Sequence, residues 1–283
     1  MTYHSKPATY VGSVRLRVES VERSLRFYQD LLGFKILRQE SNSAALTADG
    51  KTELLSLVQP EGIKPKQERR AGLYHFAILL PDRSHLAWLV NHLAKGGVRF
   101  GSANHLVSEA IYFEDPDGNG IEVYSDTHPS TWMWSEEGVD MSSIPLDFDD
   151  LLQTGRAQKS PFAMPEKTII GHIHLHVSDL GEAERFYTQG LGFEVVHRYR
   201  DSALFLSTQK YHHHVALNTW NGEGAPPTSE DSVGLDCFTL VFPDDAVRQT
   251  ALADLRRLGA DIRTAHEKIT VRDPSGNCIE LAL

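Results

Sequence analysis

The chain has 283 residues, 41% of them apolar, and 28 basic against 38 acidic side chains give it a net charge of −10. That length suits one large domain or two modest ones. An acidic surface has no general grip on phosphate, which sets aside nucleic acid and anionic membranes as partners. No apolar run approaches the roughly 18 residues of a membrane-spanning helix, and the opening MTYHSKPATY lacks the apolar core of a secretory signal. Two cysteines, Cys237 and Cys278, are too few for a disulfide framework, so a reducing, cytoplasmic setting is expected.

In chain order, Val14, Leu16 and Val18 alternate with Ser13, Arg15 and Arg17, the period of a half-buried strand. Val21, Leu25, Tyr28 and Leu32 predict a helix over 21–32 that Gly33 stops. Strands are expected near 34–39, 43–48 and 53–58. A second unit opens on a strand at Leu73–Leu80 and continues in a helix over 82–95, ended by Gly96-Gly97. It closes with strands near 98–100, 110–114 and 120–124, the last two joined by the tight turn that starts at Asp115 (DPDGNG). Residues 126–167 then break the pattern: Pro129, Pro145, Pro161 and Pro165 mark a long connection. One short helix is expected within 145–155, with Leu146, Leu151 and Leu152 as its apolar side.

From residue 168 the order restarts. GSVRLRVESVERSLRFYQDLLGFKILR (12–38) returns as GHIHLHVSDLGEAERFYTQGLGFEVVHR (171–198), GLYHFAILLPD (72–82) as VGLDCFTLVFPD (233–244), and EDPDGNGIEVY (114–124) as RDPSGNCIELA (272–282). The repeat offsets stay near 159, drifting by a few residues as loop lengths change. The economical reading is an α+β chain of four βαβββ modules, the last two spanning about 168–221 and 233–283. It divides into an N-terminal pair (8–126), a connecting segment (127–167) and a C-terminal pair (168–283).

Four features carry chemistry. In the strand 171–177, His172, His174 and His176 share one face while Ile173, Leu175 and Val177 take the other. Three imidazoles in a row line either solvent or a polar cavity. His75 lies in a nearly all-apolar strand, where it is either a hydrogen-bonded core residue or a metal ligand. Glu122, between Ile121 and Val123, is either an edge carboxylate in water or a group that a bound cation neutralises. The stretch 211–217 (YHHHVAL) reads as a strand that points inward either His213 alone or His212 with His214.

Taken together, the four modules and the motifs GLYHFAILLPD, DPDGNGIE, GHIHLHVSDL and YHHHVALN resemble the vicinal oxygen chelate superfamily, in particular its two-domain extradiol ring-cleaving dioxygenases of the catechol 2,3-dioxygenase type. The resemblance implies two curved mixed sheets around cavities and an iron(II) held by two histidines and one glutamate. In that role it puts His75, His172 and Glu122, a set that leaves three positions open for two catecholate oxygens and O₂. It makes His213 the acid–base group and Tyr112, ten residues before Glu122, the hydrogen-bond donor to substrate oxygen. His174 and His105 become residues that touch the substrate or orient the site. The implied activity is insertion of O₂ into catechol or a substituted catechol to give a 2-hydroxymuconic semialdehyde, with a small aromatic diol and O₂ as partners. A homo-oligomer is compatible with the family.

The commonest family arrangement draws all three ligands from the C-terminal half. Here Cys237 stands where module two has His75, and Ser13 stands where module three has His172. The expectation is therefore that modules two and three face one cavity, whereas one and four pair without a full site. The rival, His172 with Glu280, lacks a second histidine. Two other functions share the fold: a glyoxalase-type isomerase or lyase, whose chemistry asks for a second glutamate, and a metal-free protein that binds a drug or aromatic ligand.

Overall fold

The computed structural model describes residues 3–155 and 162–283. Module one comprises β1 (Tyr10–Arg17), α1 (Val21–Arg26), β2 (Lys35–Gln39), β3 (Ser43–Thr47) and β4 (Leu55–Val58). Module two comprises β5 (Gly72–Leu79), α2 (Arg83–Lys95), β6 (Gly101–Asn104), β7 (Ser108–Glu114) and β8 (Gly120–Asp126). The connection carries a two-strand hairpin, β9 (Trp134–Ser135) with β10 (Gly138–Val139), and α3 (Phe148–Thr154). Module three comprises β11 (Ile169–His176), α4 (Leu180–Arg185), β12 (Glu194–Tyr199), β13 (Ala203–Ser207) and β14 (Val215–Asn218). Module four comprises β15 (Gly234–Val241), α5 (Asp245–Arg257), β16 (Ile262–Ala265), β17 (Lys268–Arg272) and β18 (Cys278–Ala282).

Each sheet takes one module from each half of the chain. One runs β16-β17-β18-β15-β1-β4-β3-β2, and the other runs β12-β13-β14-β11-β5-β8-β7-β6. The seams are antiparallel pairs of first strands, β1 with β15 and β11 with β5. Modules two and three thus share a sheet, as the distribution of the histidines implies. The apolar faces of all four modules meet in one continuous core, from Leu16 and Leu57 through Phe76 and Leu175 to Phe238.

Both copies of the first helix depart from the predicted 21–32 span in the same way. After α1 and α4 the backbone widens into π turns at Phe27–Leu31 and Phe186–Gly190, a local insertion that re-aims side chains. In each turn a fully buried tyrosine donates to an aspartate of the DP-x-GN loop: Tyr28 Oη to Asp115 Oδ2 at 2.9 Å, and Tyr187 Oη to Asp273 Oδ2 at 3.1 Å. The same carboxylates collect the loop's own amides, Asp117 N and Asn119 N in one copy and Ser275 N and Asn277 N in the other. These ties join module one to two and module three to four, across the two sheets.

The strand expected at 98–100 starts instead at Gly101, because Val98 N is spent closing α2 onto Leu93 O. In the connection, Leu146 and Leu151 are buried as expected, but Leu152 is exposed and Phe148 packs on the core in its place. The helix is a single short stretch entered from Asp147, whose side chain caps Asp150 N, and its phase puts 148 and 151 on one side. Of the 126–167 connection, residues 156–161 lie outside the described residues.

Candidate metal centre

The register of the second sheet explains the site. β5 lies between β11 and β8, with Ala77 directly opposite His172 on one side and Glu122 on the other. Glu122 in turn stands opposite Tyr112 of β7. One row across four strands therefore reads His172, Ala77, Glu122, Tyr112, and His75 lies two residues before Ala77 on the same face. Ala77 is fully buried, and its methyl leaves room for the longer side chains on either side. Two close approaches permit this register. A Cβ on Gly120, opposite His75, would stand 2.1 Å from the Tyr74 carbonyl, and one on Gly171 would stand 1.9 Å from Tyr124 Oη.

His75, Glu122 and His172 converge so that one ligand atom from each lies within 4.8 Å of the others, and all three residues are buried. Both Nε2 atoms crowd the same carboxylate oxygen, His75 at 3.0 Å and His172 at 3.1 Å. His75 Nε2 is buried without a properly directed hydrogen bond, and His172 Nδ1 has no partner among the described residues. Two imidazole nitrogens aimed at one carboxylate oxygen, one of them unsatisfied, is the donor set a divalent cation completes. The residues present therefore fit the ligand set of a divalent metal ion. The electrostatics agree. Burial pushes the Glu122 carboxyl up, but the adjoining His172 and His75 more than reverse this and hold it well below the usual carboxylate range. Burial lowers His172 to about 4, against the pull of Glu122. A neutral imidazole beside an ionised carboxylate is the protonation state that metal binding requires.

The other predicted residues lie around this set. Tyr112 donates from Oη to His105 Nε2 at 2.5 Å, and His105 donates from Nδ1 to the Ser142 carbonyl at 2.8 Å. Burial and the Glu122 charge raise the Tyr112 phenol well above its ordinary range, so it keeps its proton at neutral pH. His174 is buried and accepts at Nε2 from Asn218 Nδ2 at 2.8 Å, while His176 donates from Nδ1 to Asn218 Oδ1 at 2.7 Å. His174 thus lines a polar cavity, His172 is buried beneath it against Glu122, and His176 lines a neighbouring cleft. Glu280 lies in the other sheet, where Lys268 Nζ binds it at 2.8 Å, so it does not join His172.

His213 is reached differently from the sequence expectation. The strand begins only at Val215, and residues 211–214 precede it as irregular backbone, so neither alternation holds: His212, His213 and His214 are all buried. The His213 ring packs against His172 with ring centres 4.0 Å apart. His212 Nε2 donates to Asp126 Oδ1 at 2.9 Å, and its Nδ1 faces His213 Nδ1 at 2.9 Å. In the tautomer that donates from His212 Nε2 to Asp126, His212 Nδ1 accepts, the shared Nδ1–Nδ1 proton belongs to His213, and His213 Nε2 is left as an acceptor. His214 turns away and donates to the Tyr3 carbonyl. Asp126 and Ala77 adjoin the site and were passed over in the sequence reading, which named His212 only as an alternative inward residue of 211–217. Asp126 had a signal: Glu122, Tyr124 and Asp126 fall on one face at period two. A cavity of about 650 Å³ opens over Glu122, lined by His75, Tyr112, His174, Phe205 and His213 among others.

Fold and site together define the class. A model of the Glyoxalase/Bleomycin resistance protein/Dioxygenase superfamily matches residues 10–123 and again 169–281, and the chain belongs to that superfamily. Within it, the chain is 43% identical over 269 residues to the catechol-2,3-dioxygenase of Bacillus subtilis (strain 168), covering 94% of each chain. Among solved structures, a proposed dioxygenase from Bacillus subtilis superposes with a TM-score of 0.69 at 13% identity, over 98% of this chain and 86% of that one. Glyoxalase I from Zea mays does so at 0.59 and 15%, over 96% and 92%. At those identities the two superpositions speak for the fold. No helix among the described residues is long and apolar enough to cross a membrane.

Proposed function

We propose that this chain is an extradiol ring-cleaving dioxygenase that opens catechol, or a substituted catechol, with O₂ to a 2-hydroxymuconic semialdehyde. One observation carries the reading: two imidazoles and one carboxylate converge on one buried face of a chain 43% identical over 94% of its length to a catechol-2,3-dioxygenase. His75, Glu122 and His172 would hold iron(II), which when bound supplies adjacent positions for both diol oxygens and O₂. His213 accepts a phenolic proton at Nε2 as the diol binds, then returns it as the ring opens. Tyr112, kept as a phenol and oriented by His105, donates a hydrogen bond to a substrate oxygen. His174, held by Asn218, flanks the ring. Asp126 and His212 keep the His213 ring turned so that its bare nitrogen faces the cavity. A reducing cytoplasm suits the two unbridged cysteines and a divalent iron.

The test is anaerobic loading with iron(II), followed by catechol and O₂. About one iron per chain, O₂ uptake and a yellow ring-opened product are expected. A protein that takes up nickel or zinc in place of iron and consumes no O₂ would refute the proposal.

A further inference from the structure

The cavity over Glu122 has a composition that speaks to which catechol enters it. Of the described residues that line it, Glu122 is the sole Asp, Glu, Lys or Arg, and that carboxylate is committed to the two imidazoles. The remaining polar groups are histidines, tyrosines and serines. Arg200 stacks on Tyr199 at 5.3 Å but is not part of the lining. Lys66, Arg69 and Arg70 line a neighbouring cleft, together with Glu68, Glu114 and Asp117. Among the described residues, a carboxylate brought into the site cavity would meet no lysine or arginine in the lining, and an unpaired buried anion is costly. The chain's net charge of −10 opposes its approach as well.

The cavity is also larger than the reacting ring needs. About 150 Å³ suffices to enclose benzene, whereas this cavity is about 650 Å³. Its surplus wall is aromatic. From the mouth inward, Trp220 packs on His174 at 5.4 Å between ring centres, His174 on Phe205 at 5.8 Å, and Phe205 on His213 at 5.1 Å. Tyr74 closes edge-on to Trp220 at 5.3 Å. Trp220, Tyr74 and Tyr199 are 46%, 39% and 46% exposed, three large rings at one opening. Trp220 is not loosely held: its backbone amide donates to Asn218 Oδ1, the residue that also orients His174. Exposed aromatic surface gathered at a cavity mouth marks a place where apolar ligand is buried.

We infer that the substrates of this site are uncharged catechols that carry an apolar ring substituent, alkyl or aryl, seated against the Trp220–Phe205 wall, and that catechols with a carboxylate on the substituent are excluded. This rests on the dioxygenase reading of the same site and narrows it.

The experiment compares four compounds on the iron-loaded chain: catechol, 4-ethylcatechol, 3,4-dihydroxyphenylacetate and its methyl ester. Acid and ester share a skeleton and differ in charge. The expected order in kcat/KM puts 4-ethylcatechol and the ester above catechol by about tenfold, the scale of one or two buried methylenes, and the acid below the ester by roughly 100-fold. Trp220→Ala should lower the ester-to-catechol ratio, and Ser102→Arg, which adds a cation to the lining, should raise the acid-to-ester ratio. Binding is read separately under anaerobic conditions by quenching of tryptophan fluorescence, with Trp220→Phe to identify the signal. Ester quenching without acid quenching supports the inference even if no compound is cleaved, and in that case it is the dioxygenase reading that falls. Equal binding and turnover of acid and ester, or catechol preferred over both apolar derivatives, overturns the inference while leaving ring cleavage intact.

Discussion

At the residue scale the centre depends on side chains whose donors converge on one point, so each removal has a distinct signature. His75→Ala, Glu122→Ala and His172→Ala should each lose stoichiometric iron, whereas Glu280→Ala, tied to Lys268 in the other sheet, should keep it. Iron retained by the first three and lost by the last would move the centre to the other sheet. Asp126 acts at one remove. Its carboxylate takes the His212 proton and, through His212, sets which His213 nitrogen is bare. Asp126→Asn can offer an amide proton to His212 and invert that chain of donors. Turnover should fall roughly 10²-fold, the lower end of the cost of a lost proton-transfer group, with iron content and KM for catechol nearly unchanged and partial rescue in Asp126→Glu. A matching loss of iron would show that Asp126 only holds the fold. His75, Glu122 and His172 were readable because a charge-bearing group in an apolar strand demands a reason. Ala77 was not, since a small apolar residue carries no such demand, and its importance lies wholly in what stands on either side of it.

At the element scale, periodicity located most strands and helices but missed two kinds of departure from it. The stretch 211–214 looked like strand because His-His-His-Val continues into Val215–Asn218, yet its backbone leaves the ladder and buries three consecutive histidines. Period-two reasoning presupposes an extended chain and could not have chosen among them. The π turns were likewise hidden, because an inserted residue in a six-residue helix leaves the apolar spacing almost intact. Their purpose shows in the paired Tyr–Asp bonds. Tyr28→Phe removes one donor from the buried Asp115, which keeps its contacts to Asp117 N and Asn119 N. The expected cost is about 1–2 kcal/mol, a fall in Tm of roughly 2–8 °C for a chain of this size. Tyr187→Phe should behave alike, and the double variant should be near additive, since the two bonds have no shared partner. An unchanged Tm in both single variants would mean that the loops hold their shape without the tyrosines.

At the scale of the whole molecule, duplication and pairing follow different rules. Sequence similarity relates module one to three and two to four, yet the sheets join one to four and two to three. Similarity alone does not indicate the pairing. The clue was chemical: only modules two and three together hold two histidines and a glutamate in the matching places. The consequence is that β5 and β11, neighbours at the centre of one sheet, come from opposite halves of the chain, as do β1 and β15 in the other. A C-terminal piece beginning at Thr168 would present β11 and β15 as bare edges, each with a face meant for burial. It would also carry His172 without His75 or Glu122. Such a piece should associate or precipitate and bind no stoichiometric iron, and the N-terminal half should fail in the same way. Co-expression of the two halves should restore a complex of one each, with iron bound, because the seams are complementary and the ligands meet only across them. Size-exclusion chromatography with metal analysis distinguishes the outcomes, and a monomeric C-terminal piece that holds one iron and cleaves catechol would overturn the shared site.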